Sequence, residues 1–232
     1  MLWPVGLLSA VVASLALTAP GAVGSVDPSF GAHWALDEVD SVTAIDSSGH
    51  GNNGTAFHVS QDGSGYTFNG VDSRVIVPSA TSLNPGSNDF SYRVTLTMDA
   101  PPQPVGETYD VLRKGLVTTK GGDYKFEVKN VKGKALARCV AKTVRANGTK
   151  VLASIQGTRT LADGQQHVVT CLKTSTGITL TVDSLAPRTK TYTGGLGSVS
   201  NTADLALGAK AESTPQTGFD WFKGEIFDAW VA

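Results

Sequence analysis

From Phe90 to Met98 apolar and polar residues alternate one by one: Phe90, Tyr92, Val94, Leu96 and Met98 against Ser91, Arg93, Thr95 and Thr97. A period of two sorts the two sets onto opposite faces of a pleated strand, so this segment predicts a half-buried β-strand. Shorter runs of the same kind recur along the chain, and no long stretch carries the 3.6-residue period of a helix. The pattern predicts strands at Ala32–Leu36, Thr55–Val59, Tyr66–Asn69, Arg74–Pro78, Phe90–Met98, Tyr109–Lys114 and Tyr124–Asn130. It predicts further strands at Ala135–Lys142, Lys150–Ile155, Gln166–Leu172, Ile178–Val182, Lys190–Tyr192, Ala203–Leu207 and Trp221–Val231. Turn chemistry separates them at Asn84-Pro-Gly86, Gly121-Gly-Asp123, Asn147-Gly-Thr149, Ala162-Asp-Gly164 and Gly194-Gly195. Pro101-Pro-Gln-Pro104 belongs in a surface loop, because proline gives no donor to a sheet. Many short strands at this spacing imply two packed antiparallel sheets, an all-β sandwich.

Two polar turns open into strands. Asp46-Ser-Ser-Gly-His-Gly-Asn-Asn-Gly-Thr55 packs glycine and asparagine at a density that only a turn tolerates. In Phe68-Asn-Gly-Val-Asp-Ser-Arg-Val-Ile-Val-Pro78 an Asn-Gly turn feeds a β-branched run. Residues Leu2 to Ala19 are uncharged, and Pro20-Gly21 and Ala22-Val-Gly24 follow them. This reads as a signal peptide over residues 1–24 that lacks a basic start, with one domain over 25–232. The alternative is an uncleaved membrane anchor, for which the stretch is long enough.

The chain carries 19 basic and 20 acidic residues, scattered along its length. That balance gives no footprint for nucleic acid or for an anionic membrane surface. The only two cysteines, Cys139 and Cys171, lie in strand-like runs. In a secreted chain such a pair implies a disulfide between neighbouring strands, and the alternative is two buried free thiols.

The two turns, with Trp34-Ala-Leu-Asp37 before them and Gly224-Glu-Ile-Phe-Asp-Ala-Trp-Val231 at the end, resemble the laminin-G-like, concanavalin A-type jelly roll. Leu161-Ala-Asp-Gly-Gln-Gln-His-Val-Val-Thr170, Thr179-Leu-Thr-Val-Asp183 and Asp204-Leu-Ala-Leu-Gly208 resemble its later strands. Gln166 stands where the family has Trp, and Ser184 where it has the Gly of a tight turn. The resemblance implies a two-sheet jelly roll and a secreted binding module for carbohydrate or for a glycosylated or protein surface. It also implies a structural Ca2+ where the first and last strands meet. The residues it offers are Asp228, Asp37, and the carbonyls around Gly70 and Val71 beside Asp72, since calcium takes several oxygen ligands.

Catalytic signals are sparse. Glu225 and Asp228 are three apart, which on a regular strand puts them on opposite faces and separates a glycosidase pair. The four histidines, His33, His50, His58 and His167, accompany no nucleophile elbow and no zinc spacing. Arg113, Lys114, Tyr124, Lys125 and His167 are the residues from which a polysaccharide lyase on this fold would be built. For sugar binding the aromatic candidates are Tyr124 and Trp221, the latter in the Phe219-Asp-Trp-Phe222 segment. Trp34 and Trp230 read as core or sheet-edge packing. The expectation is a non-catalytic, extracellular or cell-envelope binding module. A polysaccharide lyase or glycoside hydrolase, and a structural envelope protein, are the alternatives.

Overall fold

The computed structural model describes Met1, residues 31–210 and residues 219–232. The segment of residues 1–24 that reads as a signal peptide lies, apart from Met1, outside the described residues. Sixteen strands are described. In chain order they are β1 (Ala32–Trp34), β2 (Thr43–Ala44), β3 (Gly54–Phe57), β4 (Ser60–Gln61), β5 (Tyr66–Asn69) and β6 (Arg74–Val77). There follow β7 (Phe90–Thr97), β8 (Thr108–Lys114), β9 (Asp123–Val131), β10 (Lys134–Val144) and β11 (Lys150–Thr160). The last five are β12 (His167–Lys173), β13 (Gly177–Val182), β14 (Arg188–Thr191), β15 (Leu205–Leu207) and β16 (Lys223–Val231). Each of the fourteen predicted strands overlaps one of these. The two that the pattern misses, β2 and β4, have two residues each, too few to show a period.

The strands form two eight-stranded sheets in which every pairing is antiparallel. The first runs β14-β13-β12-β7-β16-β5-β4, with β1 added against β16. The second runs β11-β10-β9-β8-β15-β6-β3-β2. This is a jelly-roll sandwich. The first and last strands lie side by side, with His33 opposite Trp230 and Trp34 opposite Ala229.

Alternation decides what fills the space between the sheets. Phe90, Tyr92, Val94 and Leu96 of β7 face Tyr124, Phe126 and Val128 of β9, and all are buried. Phe90, Tyr92 and Tyr124 form an aromatic cluster with ring centroids 5.1–5.8 Å apart. Their hydroxyls are not left bare: Tyr92 donates to Val140 O at 2.9 Å and Tyr124 to Leu83 O at 3.2 Å.

Cys139 and Cys171 form a disulfide. The bridge joins β10 of the second sheet to β12 of the first, so its strands meet across the core instead of pairing edge to edge as expected. Its Cα atoms are 5.6 Å apart, well inside the usual sheet spacing of about 10 Å. Small residues permit the approach: Ala137, Ala141, Ala153 and Gly157 lie at this end. A Cβ on Gly157 would stand 3.4 Å from Leu180.

Candidate functional site

The site begins with one extra residue. Along β16, Glu225 stands opposite Thr97 and Ile226 opposite Leu96; the register then slips, and Asp228 stands opposite Thr95 and Trp230 opposite Arg93. The surplus residue is Phe227, a β-bulge. Ile226, Ala229 and Val231 stay buried on the inner face. Glu225, Asp228 and Trp230 all turn to the outer face, beside Arg93, Thr95 and Thr97. The expected separation of Glu225 from Asp228 is thus reversed. Their partners on β7 are two residues apart, which sets the roots of the two side chains about 6.6 Å apart.

At the β1 end of this face the side chains converge on a cleft. The Arg93 guanidinium lies 5.2 Å from the centroid of the half-buried Trp230 ring. Arg93 also donates from Nη2 to Asp228 Oδ1 at 3.4 Å, while His33 Nε2 donates to Asp228 Oδ2 at 2.6 Å. Ser47 Oγ lies 2.8 Å from the other ring nitrogen of His33. Arg93 Nε is buried and has no hydrogen-bond partner. A cavity of about 350 Å³ opens here, bounded by His33, Ser48, His50, Arg93, Trp230 and Val231. An aromatic ring flanked by a few fixed polar groups is an arrangement that can hold a small ligand with one apolar face and several polar groups.

The Asp46–Thr55 turn builds the wall of the cleft. Asp46 Oδ1 accepts from the N–H groups of His33 and Ser48, both at 2.9 Å, and Oδ2 from that of Asn52 at 2.8 Å. Burial works to raise the Asp46 pKa; the hydrogen bonds from Ser48, His33 and Asn52 outweigh it and leave it lowered. Asn52 donates from Nδ2 to Gly31 O at 2.8 Å and takes Trp34 Nε1–H on its carbonyl at 2.9 Å. The polar turn is therefore a clamp on β1, and β1 carries His33. At the other end of the face, Glu225 has its pKa raised, first by burial and then by the nearby charge of Asp62.

The two aromatic candidates lie elsewhere. Tyr124 is fully buried in the core and offers nothing to a ligand, which corrects that assignment. Trp221 is half-buried and covers Ile76, Ala206 and Ala209 on the outer face of the second sheet, with Arg74 6.0 Å from its ring centroid. Trp230, read as packing, lines the cleft. The signal was its alternation with the buried Ala229 and Val231, which turns it outward.

The residues offered for calcium are drawn into separate contacts. Asp228 is held by His33 and Arg93. Asp72 accepts from Asn69 Nδ2 at 2.8 Å and lies 2.7 Å from His58 Nδ1. Gly70, at φ +77°, closes the Asn-Gly turn against the stem of Lys223. Asp37 lies near the Tyr66 hydroxyl, whose own partner is Glu38 Oε2 at 2.7 Å. Among the described residues no three His, Cys, Asp or Glu side chains gather as a metal-ligating group.

The lyase set disperses as well. Arg113 and Lys125 sit on the outer face of the second sheet in a charge network with Asp110, Glu127 and Arg138. Lys114 points the other way into a buried cage. His167 is buried with its ring nitrogens 2.9 Å from Asp163 Oδ1 and 2.9 Å from Asp183 Oδ2. Asp183 adopts φ +53°, so the turn before Ser184 forms without the family's glycine.

No family model and no curated protein matches the chain. Among solved structures it is similar to the binding domain of botulinum neurotoxin serotype G, with a TM-score of 0.57 at 12% identity over 89% of this chain and 47% of that one. It is similar to domains LG4-5 of the mouse laminin alpha1 chain, at 0.50 and 12% over 74% of this chain and 42% of that one. It is also similar to a Trypanosoma rangeli sialidase in complex with sialic acid, at 0.54 and 15% over 86% of this chain and 30% of that one. The chain spans less than half the length of each. At these identities the likeness shows the shared fold.

Proposed function

We propose that this chain is an exported, non-catalytic module that binds carbohydrate, free or on a glycoprotein, with the sugar ring against Trp230 and its hydroxyls on Arg93, His33 and Asp228. The observation that carries the reading is the convergence of an aromatic ring and these polar groups in one cleft where the first and last strands meet. The fold it shares with a toxin binding domain and with laminin LG domains supports a binding role and leaves the sugar to experiment. Export rests on the uncharged segment of residues 1–24. Stabilisation by calcium is a separate proposal, read out by melting with EDTA and with Ca2+ restored. The test of the main reading is a glycan array followed by titration calorimetry with wild type and Trp230→Ala. Loss of binding with an unchanged fold supports it. An empty array favours a structural envelope protein instead.

The bulge supports a second reading. Glu225 and Asp228 share one face with their roots about 6.6 Å apart; an inverting glycosidase sets the two carboxyl groups themselves about 6.5–9.5 Å apart, a spacing that side chains rooted this close can adopt. Glu225, with its pKa raised, would be the acid and Asp228 the base. Slow release of reducing ends from an array-positive polysaccharide, abolished in Glu225→Gln, would establish it; none at high enzyme concentration discards it.

A further inference from the structure

At the far end of the sandwich the edge strands of the two sheets, β14 and β11, leave a groove of about 700 Å³. Four cations line it: Lys132 and Lys134 from the β9–β10 hairpin, Arg188 and Lys190 from β14. No acidic residue lines it, although acidic residues outnumber basic ones in the chain as a whole. All four are exposed, and among the described residues none enters an ion pair. Arg188 and Lys190 pair with Leu180 and Ile178, whose side chains are buried, so both cations point inward into the gap between the sheets. They stand two residues apart on one face of a strand, about 6.6 Å from each other. The turn at Lys132-Gly133, with φ of +53° and +83°, places Lys132 at the hairpin tip, where it lines the same groove. Ser154, Gln156, Thr158 and Thr189 add hydroxyl and amide groups along the walls, and Leu136 and Ile155 form an apolar floor.

An inward charge on an edge strand also protects a sheet from pairing with another chain. That role needs one residue, on the edge strand itself. Four like charges from two sheets and a hairpin, with the Tyr192 ring against Lys190 and no counter-charge among the described residues, favour an anionic partner. We propose that this groove binds an acidic polysaccharide, its sulfates or carboxylates on the four cations and its hydroxyls on the wall residues. The groove is recessed between two edges, a poor match to a flat membrane surface. The ring beside the groove, that of Tyr192, is covered by Lys190 Nζ at 5.1 Å from its centroid and tied through its hydroxyl to the Ser154 backbone, so it offers no open platform on which nucleic acid bases would stack. Three of the four cations are lysines, point charges without the planar fork that recognises phosphopeptides. The proposal stands on residues distinct from the Trp230 cleft and does not depend on it.

The experiment measures affinity of the exported chain by biolayer interferometry, at low and at 0.5 M (order of magnitude) salt, where the Debye length falls to a few ångströms. The probes are heparin for sulfate, polygalacturonate for carboxylate, dextran as the neutral control, single-stranded DNA, and phosphatidylserine vesicles. Heparin or polygalacturonate is expected to bind and to be released by salt, with dextran silent; the stronger of the two identifies the acid group. Arg188→Gln/Lys190→Gln should weaken binding by about tenfold or more, equivalent to about 1.4 kcal/mol. Lys120→Gln/Lys150→Gln removes the same charge elsewhere and should leave binding unchanged, as should Trp230→Ala. The proposal falls if neither acidic polymer binds, if DNA or vesicles bind more tightly, or if the two double variants weaken binding equally. Equal melting midpoints of the variants exclude misfolding as the cause.

Discussion

Lys114 offers a sharp test of how the core handles a charge. Its side chain is fully buried, and the three hydrogens of Nζ are shared among four acceptors: Ala203 O at 2.6 Å, Ser79 Oγ at 3.1 Å, and Asn201 Oδ1 and O at 3.2 and 3.3 Å. Burial lowers its pKa from 10.5 to about 8, with the charge of Asp204 acting weakly the other way. That depression corresponds to about 3 kcal/mol at about 1.36 kcal/mol per pH unit. Between about pH 8 and 10.5 the unfolded chain binds a proton at this residue that the folded chain has released, so stability rises with pH through that window. Below pH 8 both states are charged and the penalty is present in full. The measurement is guanidinium unfolding followed by tryptophan fluorescence at intervals from about pH 7.5 to 9.5, below the range where the tyrosines enter. The pKa values of Tyr66, Tyr92 and Tyr124 are raised by burial, which lowers stability above about pH 10. Wild type should gain on the order of 1–2 kcal/mol over that span. Lys173 is also buried and its pKa lowered by burial, and it contributes with the same sign. Lys114→Met should therefore flatten the rise without abolishing it, at an overall cost of about 1–3 kcal/mol for carbonyls left without a donor. If Lys114→Met rises with pH as steeply as wild type, the cage does not hold a depressed lysine and the reasoning fails.

Replacing both Cys139 and Cys171 by serine opens a loop of sequence separation 32 and should cost about 3–4 kcal/mol in the chain-entropy account; an unchanged denaturation midpoint would show that the bridge adds nothing. Asp46→Ala leaves the N–H groups of His33, Ser48 and Asn52 without an acceptor and should cost about 3 kcal/mol or more, checked by thermal melting. Because the Asp46 pKa is lowered in the fold, its contribution is present above the ordinary carboxylate value of 3.8 and lost as pH falls through the lowered value. Trp230→Ala should remove glycan binding by the cleft and, because the ring is only partly buried, lower the unfolding free energy by no more than about 1–2 kcal/mol; equal binding by the variant would exclude the cleft.

The fold was legible wherever a strand was long enough to show a period of two. In β9, Tyr124, Phe126 and Val128 alternate with Lys125, Glu127 and Lys129, and the same rule that located the strand also put Tyr124 in the core. The alternation alone therefore takes Tyr124 out of reach of any ligand. Other features depend on long-range register and have no local signature. The bulge at Phe227 exists only relative to β7, so counting three residues from Glu225 to Asp228 gave the wrong face. The disulfide joins strands whose pairing partners are all different, and no spacing of two cysteines distinguishes a bridge across a sandwich from one along a sheet. Long-range register also assembles the two candidate surfaces. Arg93 is one of four polar residues on an alternating strand until β16 lays Trp230 beside it. Lys132 and Lys190 are 58 positions apart in the chain and line one basic groove only because β14 and β11 edge the two packed sheets at the same end. In a jelly roll the chain supplies faces by local alternation, and topology decides which faces meet. The core can therefore be read from sequence alone, and a binding surface assembled from distant edges requires the strand order.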